Sequence, residues 1–437
     1  MDMSTINTPA LAQMLETFAS NRSGNGGGVY SVCASHPLVL EAAMRQSLND
    51  NSLLLIEATA NQVNQFGGYT GMEPDDFPPY VYGIAARVGL ERERIVLGGD
   101  HLGPLCWTDE IADSAMLSAC DLVANYVTAG FRKIHLDASM ACAGEAAPLS
   151  DEVVAERAVA LCKAAESAAS RVNLPSRPVY VIGTEVPIPG GATESLEELA
   201  VTSVKRAKAT VEAHQLAFEV AGLDDAWKRV IALVVQPGVE FNHTEVHPYD
   251  TNKSQALSAA ILEMPGLVYE AHSTDYQPES AYAQLVRDHF AILKVGPQLT
   301  FALREALFAL AAIEDELIPG EKRSNLVDVC ERVMLHEPNH WINHYPATEP
   351  DGKLYRRYSY SDRIRYYWPH PDIGAAVQRL TANLDAVEIP LPLLSQLMPR
   401  EYSAITAGHL TTATKELIIH HIMAVTAVYS EACRANG

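Results

Sequence analysis

Eight short runs of apolar and β-branched residues recur between Gly28 and Val295, and a longer stretch separates each run from the next. Strands that alternate with amphipathic helices predict a parallel sheet, and eight such units match the size of a TIM (β/α)8 barrel. The runs are Gly28–Ser35, Ser52–Ala58, Arg94–Asp100, Lys133–Asp137, Pro178–Glu185, Ile231–Gln236, Leu267–His272 and Ala291–Val295. The helical stretches include Pro37–Asn49, Thr108–Ala129, Ser150–Ala169 and Ser195–Leu216.

A doubly wound α/β sheet is the alternative fold, but no GxGxxG sequence follows a strand as dinucleotide binding would require. The glycine-rich GNGGG precedes its strand and is interpreted as an entry loop. After Asp315 the alternation ends and mostly helical segments follow. We predict an N-terminal helix and entry loop (1–27), a barrel (28–315) and an appended C-terminal helical extension (316–437).

The chain carries 54 acidic against 32 basic residues, a formal net charge of −22. This balance argues against nucleic acid or an anionic membrane surface as the partner. Seven cysteines without a CxxC pair favour neither a disulfide framework nor a structural zinc site. No segment has the length and character of a signal peptide or a membrane span. We expect a soluble, cytoplasmic protein.

Polar residues stand at the predicted carboxyl ends of the strands, where TIM barrels carry their functional groups. One such residue can simply terminate a strand, but a ring of them around one axis is costly unless a cation or ligand pairs them. The ring comprises Glu57, Asp100, His101, Asp137, Glu185, Gln236 and His272.

A divalent metal would explain this ring, since imidazole and carboxylate ligands suit zinc, manganese, cobalt or nickel. His101 and His272 are the first-choice ligands, with Glu185 or Gln236 completing the set. Asp100, beside a ligand, is the candidate general acid or base.

Two C-terminal motifs are interpreted as structural. HEPNH (His336–His340) matches the zincin pattern HExxH, but Pro338 would break the helix that this pattern needs. Four arginines in an aromatic run are interpreted as a solvated face, with an anion-binding patch as the alternative. They are Arg356, Arg357, Arg363 and Arg365.

Several strand-end motifs together resemble the Z subunits of tagatose-1,6-bisphosphate aldolase, the GatZ and KbaZ family. They include LIEATANQVNQFGGYTGM, LGGDHLGP, KIHLDASMACA, GTEVPIPGGA, YEAHSTDYQ and KVGPQLTFALREALFAL. The resemblance implies a TIM barrel related to class II aldolases, in galactitol, N-acetylgalactosamine or tagatose catabolism. It also implies a partner, the catalytic aldolase subunit, whose full activity and stability need the Z subunit. Some members were labelled kinases, but no GxxxxGK[ST] loop occurs here.

The kinship to class II aldolases implies roles for individual residues. Asp100 corresponds to the catalytic acid, and His101 and His272 correspond to metal ligands, with zinc as the first choice. Asp137 and Glu185 correspond to further catalytic positions, and Gln236 remains the additional ligand.

The same kinship implies substrate contacts, with one departure. STDYQ (Ser273–Gln277) replaces the glycine-rich loop of class II aldolases, and the carboxylate of Asp275 would repel a phosphate there. The predicted substrate-binding residues are Glu57, Gln62, Asn64, Gln65, Ser139, Ser273, Asp275 and Lys294.

Two functions remain. In the first, the chain is a non-catalytic subunit that stabilises a separate aldolase. In the second, it is itself a metal-dependent ketose or ketose phosphate aldolase or 4-epimerase, in which Asp100 removes the C4 hydroxyl proton. A homo-oligomer is compatible with both.

Overall fold

The computed structural model describes residues 8–174, 176–184, 199–346 and 348–434. Eight parallel strands form a closed barrel, in which each strand pairs with its neighbours in sequence and the first pairs with the last. This confirms the predicted TIM barrel and excludes the open doubly wound sheet. The barrel strands, β1–β8, are Val29–Val32, Leu54–Thr59, Ile95–Leu102, Lys133–Leu136, Val179–Ile182, Val230–Val235, Val268–Ala271 and Phe290–Val295.

Helices surround the barrel and continue beyond it. The sequence predicted a helix that starts at Ser195, but the helix begins at Val204. The hydroxyl of Ser203 caps its first turn by accepting a hydrogen bond from the N–H of Arg206. In chain order, α1–α16 are Pro9–Arg22, Pro37–Asp50, Phe77–Val88, Ala112–Ala129, Asp151–Arg171, Val204–Val220, Asp224–Trp227, Thr251–Ala260, Glu279–Arg287, Pro297–Leu317, Leu326–His336, Asp351–Tyr358, Pro371–Asp385, Leu391–Leu397, Pro399–Thr406 and Thr414–Cys433.

Alternate residues of each strand point to opposite faces of the sheet and bury two separate apolar cores. The outward core joins the strands to the helices and includes Ile56 and Leu97. The inward core fills the amino-terminal half of the barrel and includes Leu55 and Val181. Helix α1 adds Leu11, Met14 and Phe18 to the inward core. The barrel is therefore closed by apolar packing at one end, and its polar chemistry lies at the other.

The C-terminal helices pack directly on the barrel. Helix α16 lies against α2, α9 and α10, and its Leu417 and Tyr429 belong to the outward core. The N–H of Gly28, at the entry to β1, donates a hydrogen bond to the carbonyl of Cys433 (2.8 Å). The last helix thus seals the outer face of the barrel beside its first strand.

Of the two C-terminal motifs, HEPNH is not part of one helix, and the arginine run is not wholly solvated. Helix α11 ends at His336 and a separate turn starts at Pro338, so the histidines of HEPNH do not share a helix. The prediction of a solvated arginine face is wrong for Arg356, which is buried and forms ion pairs with Glu331 (2.6 Å) and Glu349 (2.5 Å).

All seven cysteines carry free thiols, as the absence of a paired pattern predicted. Across the described ranges, no helix combines the length and apolar character required to cross a bilayer.

Candidate metal and substrate site

A pocket opens at the carboxyl ends of the barrel strands, where the sequence predicted the functional groups. It contains several of the predicted site residues, together with two residues from the C-terminal extension. Its lining includes Cys33, Asn61, Gln62, Tyr69, Asp100, His101, His272, Ser273, Asp275, Lys294, Arg365 and Tyr366.

Asp100 and His101 are consecutive residues, yet both line this pocket. In a regular strand their side chains would point to opposite faces of the sheet. His101 instead has a left-handed backbone (φ 50°), and the register between β3 and β4 shifts between Gly99 and Leu102. This irregularity turns both side chains toward the barrel axis. A left-handed residue other than glycine is uncommon and costs free energy, which is typical of functional sites.

Below the pocket, four charged side chains form a layer across the barrel, which we call the charged layer: Glu57, Lys133, Glu270 and Lys294. The ammonium of Lys133 lies 2.8 Å from Oε1 of Glu57 and 2.7 Å from Oε2 of Glu270. That of Lys294 pairs with Oε2 of Glu57 and lies 3.1 Å from Oδ2 of Asp100. All four side chains are buried.

A glycine makes the pairing of Glu57 with Lys133 possible. Gly98 stands between these two residues in the register of β2, β3 and β4. A Cβ atom there would come within 2.5 Å of Oε1 of Glu57. Gly98 therefore leaves the space that the carboxylate occupies.

The buried charges around the axis do not cancel. Burial opposes ionisation of Asp100, but the imidazole of His101 and the ammonium of Lys294 hold its pKa well below the usual range. Burial likewise lowers the pKa of Lys294, but Asp100 and other acids more than reverse this and hold it well above its usual value. Together with Asp137, four carboxylates face two ammonium groups and His101, whose pKa burial lowers but Asp100 and Asp137 raise above its usual value, so at least one negative charge stays unbalanced. A bound cation would offset this negative charge.

Three histidines surround Asp100. Nδ1 of His135 lies 2.9 Å from Oδ1 of Asp100, and Nε2 of His272 lies 2.9 Å from Oε1 of Glu270. The rings of His101 and His272 are 4.9 Å apart, edge to face. Burial lowers the pKa of His272 to about 4, so this imidazole is neutral near pH 7 and has a lone pair for a ligand.

His101 is held by a carboxylate in a way that is typical of metal-binding histidines. Its Nδ1 lies 2.8 Å from Oδ2 of Asp137, and the hydroxyl of Ser139 donates to Oδ1 of the same carboxylate (2.7 Å). The other ring nitrogen of His101, Nε2, lies 3.7 Å from Oδ2 of Asp100. Asp137 and Ser139 thus orient the ring of His101.

The described residues contain one group that could hold a metal ion: Asp100, His135, Glu270 and His272, whose ligand atoms lie within 4.8 Å of one another. Nε2 of His135 is buried and has no hydrogen-bond partner among the described residues, so the ring retains an unused polar atom. Two carboxylates and two imidazoles are a donor set that suits zinc and similar divalent ions. The residues present therefore fit a divalent cation.

Several predicted site residues have other positions. Gln236 does not join the metal-binding group, because its Oε1 accepts hydrogen bonds from the N–H groups of Gly238 (2.8 Å) and Val239 (3.0 Å) in the turn after β6. Asn64 stabilises the turn after β2, and Gln65 donates to the carbonyl of Ser118 on α4 (2.9 Å), so neither reaches the pocket. Glu185 lies outside the described residues.

Asp275 occupies a position where an anion could otherwise bind. Its Oδ1 accepts hydrogen bonds from the N–H groups of Gly296 (3.0 Å) and Gln298 (2.8 Å) at the start of α10. Helix N-termini bind phosphates through such N–H groups, and here a carboxylate of the chain has taken them. Burial raises the pKa of Asp275 to about 6. These N–H groups are therefore already engaged by a side chain of the protein.

Sequence reasoning missed Lys133, His135, Glu270 and Tyr366, and it named Arg365 only in the alternative of an anion-binding arginine patch, not as a residue of this pocket. The first three lie inside strands, two or four residues before Asp137 or His272. Because alternate residues of a strand point to the same face, this spacing would have placed them on the inward face. The other two reach the pocket only through the return of the C-terminal extension.

Comparisons with known proteins agree with this architecture. The family model described as D-tagatose-1,6-bisphosphate aldolase subunit GatZ/KbaZ-like matches residues 14–434. Proteins named D-tagatose-1,6-bisphosphate aldolase subunit GatZ, from Salmonella enteritidis PT4 and Salmonella typhimurium LT2, are each 53% identical over 420 residues, covering 96% of this chain and 99% of their own length. A crystal structure of a protein described as a probable tagatose 6 phosphate kinase from Sinorhizobium meliloti 1021 has 47% identity and a TM-score of 0.86, covering 93% of this chain and all of that one.

Proposed function

Because the chain belongs to the GatZ/KbaZ-like family of D-tagatose-1,6-bisphosphate aldolase subunits, we propose that it is the Z-type subunit of such an aldolase. In this role it binds a separate catalytic subunit and raises the activity and stability of that subunit. The similarity over 420 residues carries the proposal, since it spans the barrel and the C-terminal helices alike. It supports the subunit function and lends no support to an independent aldolase or 4-epimerase.

Co-expression tests this function. We expect the catalytic subunit to co-purify with this chain, to melt at a higher temperature and to cleave D-tagatose 1,6-bisphosphate faster, because binding to the folded state alone stabilises it by mass action. The rise should grow with the concentration of this chain and then saturate. Differential scanning fluorimetry and a triose phosphate release assay measure the two effects.

A pocket variant of this chain shows whether stabilisation of the catalytic subunit depends on the pocket. His272→Ala removes a pocket imidazole but leaves the outer surface of the barrel unchanged. The proposed subunit should still stabilise its partner when it carries this change. If saturating amounts of wild-type chain left the partner's melting temperature and turnover unchanged, the proposed function would be wrong.

We also propose that the pocket binds a divalent cation, with zinc as the first choice and manganese, cobalt or nickel as alternatives. Asp100, His135, Glu270 and His272 would hold it, and His101, oriented by Asp137, remains an additional candidate ligand. Such an ion polarises a carbonyl or hydroxyl oxygen of a bound sugar. Asp100, held as a carboxylate by His101 and Lys294, would bind the ion, and Lys294 and Ser273 would contact the sugar. The kinase description of the Sinorhizobium protein is not extended to this chain, whose sequence lacks a P-loop.

Metal analysis gives a direct measurement. Purified, metal-reconstituted chain should contain about one divalent ion per molecule, and His135→Ala and His272→Ala should each lose most of it. Chelation should lower the melting temperature, since a ligand at 100 times its Kd stabilises the folded state by about 2.7 kcal/mol. His336→Ala, at the end of α11, is the matched control and should retain the ion. Metal-free wild type after reconstitution would contradict the prediction.

A further inference from the structure

The C-terminal extension returns to the barrel and completes the wall of the pocket. Arg365 and Tyr366 line the pocket together with His272 and Asp275. Asp362, which has a left-handed backbone (φ 45°), starts the turn that contains them. An arginine and a tyrosine far along the chain are therefore part of the site.

Several hydrogen bonds fix this segment on the barrel. The carboxylate of Asp362 accepts from Oγ1 of Thr300 (2.7 Å) and from Nε of Arg304 (2.9 Å), both on α10. The hydroxyl of Tyr276, in the loop after β7, donates to the carbonyl of Tyr360 (2.7 Å). These anchors are buried or half-buried and join the segment to a barrel helix and to a barrel loop. The position of Arg365 is thus set by the barrel itself.

The guanidinium of Arg365 has unused donors. Nη1 donates to the carbonyls of Ser361 and Asp362, and Nη2 donates to the hydroxyl of Tyr366 (2.9 Å). An arginine has five N–H groups, and within the ranges that the structure describes Nε makes no hydrogen bond. Nε and Nη2 lie on the same edge of the guanidinium, the edge with which arginine binds an oxyanion through two bonds.

No carboxylate of the described chain lies within ion-pair distance of Arg365. The two acids that influence it electrostatically are engaged elsewhere. Asp362 is paired with Arg304, and Asp275 caps the start of α10. The guanidinium of Arg365 lies over the ring of Tyr366, 4.4 Å from its centroid, but has no anionic partner among the described residues, while Asp275 already fills the helix start.

We propose that Arg365 binds the phosphate group of a phosphorylated ketose whose hydroxyl-bearing end reaches Asp100 and His272. The pocket is anionic beside the charged layer and cationic at Arg365, which matches a ligand with a polyol at one end and a phosphate at the other. The rings of Tyr69 and Tyr366, 4.7 Å apart and edge to face, supply an apolar wall for the carbon skeleton. The identity of the sugar rests on the proposed function, whereas the phosphate contact stands on the geometry of Arg365.

Isothermal titration calorimetry of the full, metal-reconstituted chain tests the inference with three probes: D-tagatose, D-tagatose 6-phosphate and inorganic phosphate. Wild type should bind the phosphate ester at least about tenfold more tightly than the free sugar, as expected for a charge-assisted bidentate contact. Arg365→Gln should abolish this preference while binding of the free sugar stays within about twofold. Inorganic phosphate should compete with the ester in wild type only.

Two further variants make the result unambiguous. Arg332→Gln changes an exposed arginine of α11 that pairs with Asp372 (3.5 Å), and it should keep the wild-type preference. If Arg365→Gln fails to fold, Arg365→Lys retains the charge without the bidentate edge and should lose most of the preference. Equal binding of sugar and ester by wild type, or a preference that survives in a folded Arg365 variant, would overturn the inference. Co-purification of the catalytic subunit with Arg365→Gln shows separately whether the proposed function holds.

Discussion

Replacing Lys133 with methionine is expected to lower the free energy of unfolding by about 3–5 kcal/mol, because the change leaves buried carboxylates without their partner. The ammonium of Lys133 is fully buried between Glu57 and Glu270, at 2.8 and 2.7 Å. Methionine fills a similar volume, so the loss reports on charge rather than on a cavity. Urea denaturation followed by circular dichroism measures the effect.

A matched lysine provides the control for this experiment. Lys415 pairs with Glu41 at a similar distance, 2.8 Å, but its side chain is 53% exposed. Lys415→Met should therefore cost less than about 1 kcal/mol. The double variant Lys133→Met/Glu270→Gln should be more stable than the sum of its single changes implies, because the second change removes the unpaired charge. If the two lysine variants lost the same free energy of unfolding, burial of the ion pair would not be the cause of the loss.

Gly103→Ala is expected to be the most disruptive small substitution in the barrel. A Cβ atom at this position would lie 1.6 Å from the carbonyl oxygen of Asp137, which is backbone and cannot rotate away. The backbone of Gly103 is extended, so the cost comes from space alone. We expect a loss of about 3 kcal/mol or more, or insoluble protein, because β3 and β4 must separate. Thermal melting and soluble yield are the measurements.

Gly374→Ala is the corresponding control. Gly374 lies in α13, where an added Cβ meets nothing within 4 Å. Alanine is the better helix former by about 0.8–1.0 kcal/mol, so this variant should melt at or above the wild-type temperature. If the Gly103→Ala protein melted at the wild-type temperature, the close approach of the two backbones would not be required for stability. The metal content of Gly103→Ala, if it is soluble, should also fall, since Asp137 orients His101.

The barrel could be predicted because its signal is local. Each strand is a short apolar run with a helix after it, and all eight runs correspond to strands in the structure. Asp100, His101 and His272, at the ends of these runs, all line the pocket. These residues were accessible to sequence reasoning because a parallel barrel brings every carboxyl end to one face.

The remainder of the site required information that one strand does not carry. Gln236 and Asn64 are polar residues at the right places, but their side chains stabilise turns, and composition does not distinguish a turn amide from a ligand. Glu270 and His135 precede the strand ends by two residues, so attention to the ends alone passed over them. Arg365 depends on the packing of a distant segment against α10, which no local pattern encodes.

The contact between Gly28 and Cys433 has a consequence for biosynthesis. The barrel strands are synthesised before α16, and domains begin to fold as they emerge from the ribosome. Until Cys433 has emerged, the apolar faces of α2 and α10 that α16 covers stay open to water, and β1 lacks its bond to the last helix. The nascent barrel therefore exposes an apolar surface until α16 has been synthesised and has packed against it.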